Sequence, residues 1–171
     1  MLIIVTGAIG VGKTTVCRKL IEIARNQGYS CGGFLTYKAA DKSIIIEDVQ
    51  TGQRETLASI TNVYHGPCTA KYFFNPRGID FGIRVIERGI SSTVLLVDEI
   101  GHLELRGEGF AQVPELIKAG KTKNCVLVIR QELLPSFLPR LPATPLVFET
   151  TINNRHQLPQ EIGSVLLEKL Q

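Results

Sequence analysis

Three stretches of the chain are apolar without alternation. Leu2-Ile3-Ile4-Val5, Thr93-Val94-Leu95-Leu96-Val97 and Cys125-Val126-Leu127-Val128-Ile129 are short and rich in β-branched residues. That is the pattern of strands buried on both faces of a parallel sheet. Between them the period changes to that of helices. From about Lys13 to Gln27, Val16, Leu20 and Ile23 line one face, and Gly28 stands at the expected stop. Asn75-Pro76 supplies an N-cap and a first-position proline for a second helix, with Ile79, Ile83, Ile86 and Ile90 on one stripe. A short helix near Val113–Ala119 stops at Gly120. Gly33–Lys38, Ser43–Val49 and Arg54–Leu57 are expected as strands joined by turns at Ala40-Asp41-Lys42 and Thr51-Gly52-Gln53, a β-hairpin insertion beyond the simplest βαβ plan. Ser59 to Thr69 is an irregular polar loop. Five prolines between Pro135 and Pro159 punctuate a lid-like loop, a last strand (Leu146 to Phe148) and a final helix through Leu170. Strands alternating with helices predict an α/β fold with a mostly parallel sheet flanked by helices.

Composition narrows the class. The 171 residues correspond to one domain, at roughly 150 residues per domain. Hydrophobic residues make up 44% and charged residues 20%, within the globular range. A net charge of +3, with no basic run or stripe, gives no argument for nucleic acid. Cys17, Cys31, Cys68 and Cys125 form no C-x-x-C pair and read as reduced thiols, which points to a cytoplasmic protein rather than a disulfide scaffold or zinc site. Val94–Val97 is strand-sized, well short of the ~20 residues of a membrane helix. Met1–Val5 runs into a glycine loop without a cationic lead, so no signal peptide is expected.

The chemistry begins in that loop. Gly7-Ala8-Ile9-Gly10-Val11-Gly12-Lys13-Thr14 fits G-x-x-x-x-G-K-[ST], the P-loop, between a buried strand and a helix. Its glycines let backbone N–H groups turn inward around phosphate oxygens. Lys13 reaches the β- and γ-phosphates, the Thr14 hydroxyl is a Mg²⁺ ligand, and the helix dipole favours the same anion. Asp98 and Glu99 end a buried strand, where ligands gather in open parallel sheets. Asp98 is expected to hold Mg²⁺ through water, and Glu99 to act as general base on the attacking water. Asp98-Glu99-Ile100-Gly101-His102 also satisfies D-x-x-G followed by His, which makes His102 a second candidate for positioning the nucleophile. Arg130, after the third buried strand, is a candidate γ-phosphate sensor. No N-K-x-D guanine-reading motif occurs.

On these residues the chain resembles the small nucleoside-triphosphatase family that includes the cancer-related NTPases. The resemblance runs through Gly7 to Thr15, Gly33-Phe34-Leu35-Thr36, Lys71-Tyr72, Asp98-Glu99-Ile100-Gly101-His102-Leu103-Glu104, Phe110 and Thr151-Ile152-Asn153-Asn154-Arg155. It implies Mg²⁺-dependent hydrolysis of nucleoside triphosphates with broad base preference on a RecA-like sheet. It also implies that Thr15, Asn154 and Arg155 contribute to nucleotide binding. The chain departs from the family's usual pattern at His102-Leu103, at His156, and around Ala39 to Ile46.

Two alternatives stand beside hydrolysis. One is a P-loop kinase passing the γ-phosphate to a nucleotide or small molecule, although Gln131 to Pro145 contains only Arg140 as a lid arginine. The other is a nucleotide-dependent binding module using the hairpin as its docking surface.

Overall fold

The computed structural model describes residues 1–142 and 144–168, and the expected extension of the last helix to Leu170 lies outside them. In chain order the strands are β1 (Leu2–Thr6), β2 (Cys31–Lys38), β3 (Ile44–Asp48), β4 (Arg54–Ser59), β5 (Phe73–Phe74), β6 (Val94–Ile100), β7 (Cys125–Ile129) and β8 (Leu146–Glu149). The helices are α1 (Lys13–Asn26), α2 (Pro76–Gly89), α3 (His102–Leu105), α4 (Val113–Lys118), α5 (Leu134–Phe137) and α6 (Leu158–Glu168). The strands form one sheet in the order β5-β4-β3-β2-β6-β7-β1-β8. Neighbours from β2 to β8 in that order run parallel, and β3, β4 and β5 extend the other edge antiparallel. This is the RecA-like P-loop architecture, with β7 lying between the P-loop strand β1 and the acidic strand β6.

The uninterrupted apolar runs are explained by burial on both faces. Ile3, Val5, Leu96, Val126 and Val128 pack with Val16 and Leu20 of α1 and with Ile162 of α6. Their alternate neighbours Leu2, Ile4, Leu95, Val97, Leu127 and Ile129 pack on the opposite side with Ile79, Val85 and Ile86 of α2 and with Phe137. The carboxyl ends of β1, β6 and β7 therefore open together at one end of a sheet rigidly held on both sides.

Three local expectations are corrected. The buried face of α2 is Gly78, Ile79, Gly82, Val85, Ile86 and Gly89, whereas Ile83 and Ile90 are only partly buried. Its glycines bring the helix backbone onto the sheet: a Cβ on Gly89 would lie 2.7 Å from the Gly33 nitrogen. That close approach rotates the isoleucine stripe. The segment from Gln131 to Arg140 folds as short helical turns with Leu133 and Phe137 in the core, so it is a packed element rather than a lid. The hairpin insertion gains a further strand, β5, whose two residues are too few to give a periodic signal.

Candidate active site

The P-loop links β1 to α1, and its backbone needs glycine. Gly7, Gly10 and Gly12 have φ of 140°, 84° and 104°. At Gly7 a Cβ would also lie 2.5 Å from the Thr150 carbonyl oxygen, just beyond β8. Gly12 is the N-cap of α1 and offers no side-chain cap, which leaves the first-turn N–H groups directed at the loop. Val11 is half-buried, while Ala8, Ile9 and Thr15 are exposed. The Lys13 ammonium folds back over the loop, donating to the carbonyls of Gly7 at 2.8 Å and Ala8 at 2.7 Å. Burial lowers its pKa from the ordinary lysine value, and the Glu99 carboxylate partly offsets that fall.

Asp98 is 1% exposed. Its Oδ2 accepts from the Thr14 hydroxyl at 2.8 Å, the Thr36 N–H at 2.9 Å and the Thr36 hydroxyl at 3.3 Å. Burial, with the neighbouring Glu99 charge, pushes this carboxyl up to about 6, against the pull of the Thr36 and Thr14 hydrogen bonds. No ion pair to Asp98 occurs among the described residues. A buried carboxylate beside a P-loop hydroxyl, both oxygen donors, fits a hard divalent cation such as Mg²⁺.

Glu99 occupies a bulge. The β6–β7 register shifts between Val97 and Ile100, and Glu99 has φ 77°. For a non-glycine residue that conformation costs on the order of 1–3 kcal/mol. The bulge leaves Glu99 on the wall of the cleft beside Lys13. There it meets Arg130 from the end of β7, whose guanidinium donates to Oε1 at 2.6 Å. Both side chains are about a third exposed, at 29% and 31%. Arg130 reaches this position because β7 lies between the loop strand and the acidic strand.

His102, the first residue of α3, is exposed and lines the same cleft. Glu104 lines the same cleft, but its two oxygens are engaged by the backbone, accepting from the Gly101 N–H at 2.7 Å and the Phe110 N–H at 3.0 Å. Burial raises its pKa above the ordinary carboxylate value. Glu104 thereby braces the turn that carries Glu99 and His102.

Asn154 and Arg155 follow β8. The Asn154 amide is engaged within its own turn, donating to the Glu149 carbonyl and accepting from the Thr151 N–H, each at 2.8 Å. It supports Arg155, whose side chain lies against Gly12: a Cβ there would touch Arg155 Cδ at 3.4 Å. The Arg155 Nε is buried with no hydrogen-bond partner. The structure thus brings together Lys13, Thr14, Asp98, Glu99, His102 and Arg130 along one cleft of about 650 Å³, with Arg155 against Gly12. Thr36 and Glu104 lie within the segments that carry the family resemblance, but the sequence alone assigns no role to either.

A family model described as NTPase matches residues 2–163, a span that includes every residue of this site. The chain belongs to that NTPase family. Proteins named nucleoside-triphosphatase THEP1 are similar along almost the whole length. The one from Thermotoga maritima is 31% identical, over 97% of this chain and 95% of its own. The one from Methanopyrus kandleri is 28% identical, over 99% and 97%. The crystal structure of THEP1 from the hyperthermophile Aquifex aeolicus superposes with a TM-score of 0.77 at 27% identity, covering 97% of this chain and 99% of that one. As a member of this NTPase family the chain is a P-loop nucleoside-triphosphatase. Among the described residues no helix is long and apolar enough to cross a membrane.

Proposed function

We propose that this NTPase hydrolyses nucleoside triphosphates to diphosphate and inorganic phosphate, with Mg²⁺ as cofactor and little preference among bases. The observation that carries the reading is the 2.8 Å contact between the Thr14 hydroxyl and the buried Asp98 carboxylate, with Glu99 beside it. Thr14 and Asp98 would hold Mg²⁺, which would supply charge neutralisation to the phosphates.

The chain's own groups do the rest. Backbone N–H groups of Gly7 to Thr15 bind the phosphates, and Lys13 leaves the loop carbonyls to neutralise them. Glu99 accepts the proton of the attacking water, giving up or sharing its contact with Arg130. Arg130, one side chain away, then offsets the negative charge that develops on the transferred group. Arg155, packed against Gly12, offers a planar cation for the base, and such stacking accepts any base because every base has a π-face. Nucleoside triphosphates are the partners of this site, and the reduced thiols suit a cytoplasmic setting.

The test is phosphate release from ATP, GTP, CTP and UTP, each with and without Mg²⁺ and with no acceptor present. Comparable release from all four, lost on chelation, is the expected result. Strong selection of one base, or release that survives chelation, contradicts the proposal. In Lys13→Ala, turnover should fall at least a hundredfold with an unchanged circular dichroism spectrum, since the ammonium contacts only the loop.

A further inference from the structure

Thr36 has no part in hydrolysis as described above, yet both of its donors act on the cation site. β2 and β6 run parallel in register from Cys31 opposite Val94 to Phe34 opposite Val97. There the main-chain ladder between them ends. Two residues on, the Thr36 N–H is donated to the Asp98 side chain at 2.9 Å, and the Thr36 hydroxyl adds a contact at 3.3 Å. β2 meanwhile continues as the first strand of the hairpin, with Thr36 opposite Ile46 of β3. Thr36 is thus the point at which the hairpin is tied to the end of β6.

Packing does not require a hydroxyl here. Thr36 is 3% exposed, on the same face of β2 as Phe34, where a β-branched apolar side chain would suit a strand equally well. A buried hydroxyl needs a partner. Among the described residues, that partner is Asp98 Oδ2.

Three donors converge on this one oxygen: the Thr14 hydroxyl at 2.8 Å and the two groups of Thr36. An ionised carboxylate has two oxygens, with about four lone-pair sites between them. Oδ1 accepts no hydrogen bond among the described residues. The donors are not equivalent. Thr14 belongs to the P-loop and faces the phosphates as well as the carboxylate, whereas Thr36 stands on a separate strand. Its contacts hold Asp98 independently of what the P-loop binds.

We propose that Thr36 is a positioning residue for the divalent cation: its hydroxyl and its backbone N–H hold Oδ2 of Asp98 and so leave Oδ1 to the cation and its water. The inference rests on the cation reading of Thr14 and Asp98 under Proposed function. Groups that orient a metal ligand in this way are worth about 10- to 100-fold in metal affinity. A hydroxyl contact at 3.3 Å is long, which places Thr36 at the lower end. The backbone N–H stays whatever the side chain, so Thr36→Val removes the hydroxyl without stripping Asp98 of its other donors.

The test uses the whole protein, in excess over ADP, with Mn²⁺ as the probe and its EPR signal reading the bound ion. ADP affinity in EDTA and the circular dichroism spectrum are measured on the same samples. Thr36→Val should weaken Mn²⁺ binding to the protein–ADP complex about tenfold, while ADP affinity in EDTA and the spectrum stay as in wild type. Thr36→Ser, which keeps the hydroxyl, should bind Mn²⁺ as wild type does. In turnover, Thr36→Val should need about tenfold more Mg²⁺ for half-maximal phosphate release, with a smaller change in kcat at saturating Mg²⁺. If Thr36→Val loses the wild-type spectrum, Thr36→Ala carries the same comparison. Mn²⁺ binding that matches wild type without the hydroxyl overturns the proposal. So does equal weakening in Thr36→Ser, or a parallel loss of ADP affinity in EDTA, which would mark general damage to the site. Asp98→Asn separates this inference from the one beneath it. If wild type binds Mn²⁺ no better than Asp98→Asn, the cation reading itself fails, and the role of Thr36 falls with it.

Discussion

Arg155 is held against Gly12, the glycine that starts α1, by a turn that Asn154 closes with its own side chain. If the guanidinium stacks on the base, Arg155→Ala removes binding shared by ground and transition states. KM for ATP, GTP, CTP and UTP should then rise by similar factors, about 5- to 150-fold from the ~1–3 kcal/mol typical of stacking, with smaller changes in kcat. Unchanged KM for all four would show that Arg155 only packs on the loop. Glu104 makes a different prediction. Its folded-state pKa is raised by burial, so its contribution to stability is fully present below the ordinary carboxylate value and is lost as pH rises through the folded value. Glu104→Gln cannot titrate. The stability of wild type relative to this variant, from urea midpoints, should therefore improve as pH is lowered from 7 toward 4. A relative stability of wild type that is constant, or that improves toward alkaline pH, contradicts the burial argument.

Among the elements, α2 shows how packing overrides periodicity. Its sequence reads as an isoleucine stripe, yet the helix turns its glycines to the sheet because backbone-to-backbone approach lets Val85 and Ile86 reach the core. Alanine in place of Gly89 gains about 1 kcal/mol of helix propensity. It also places a Cβ 2.7 Å from the Gly33 nitrogen and 3.0 Å from the Gly32 Cα, backbone atoms that cannot move aside. Overpacking of this kind costs about 1–3 kcal/mol, so Gly89→Ala should lower the urea midpoint overall. A midpoint that rises would mean that the helix can lift off β2 at no cost. The other misread element, Gln131–Arg140, was signalled by prolines. Proline marks turns, but it does not say whether Leu133 and Phe137 between those turns are buried.

For the molecule as a whole, legibility follows the range of the interaction. The loop between β1 and α1 and the pair Asp98-Glu99 near the end of β6 were readable as places in the fold because each is a local pattern bounded by a buried strand. Strand identity was readable because two buried faces demand uninterrupted apolar runs. The Thr36–Asp98 hydrogen bonds and the Arg130–Glu99 pair were not readable, since each depends on which strands are neighbours. The order β2-β6-β7-β1 brings together ends that are far apart in sequence, and no local pattern encodes that order. Arg130 is a candidate phosphate sensor from its place after a buried strand, but its contact with Glu99 appears only in three dimensions.

That pairing makes Glu99 the point on which the account turns. The decisive measurement is the single-turnover rate of phosphate release from Mg·ATP in Glu99→Gln and His102→Ala, with nucleotide affinity measured in the same samples. Glu99→Gln should retain affinity and lose about 10²- to 10⁴-fold in rate, the range for a positioned acid–base group, while His102→Ala costs less than tenfold. A wild-type rate in Glu99→Gln, or the larger loss in His102→Ala, would contradict the assignment of Glu99 as the base.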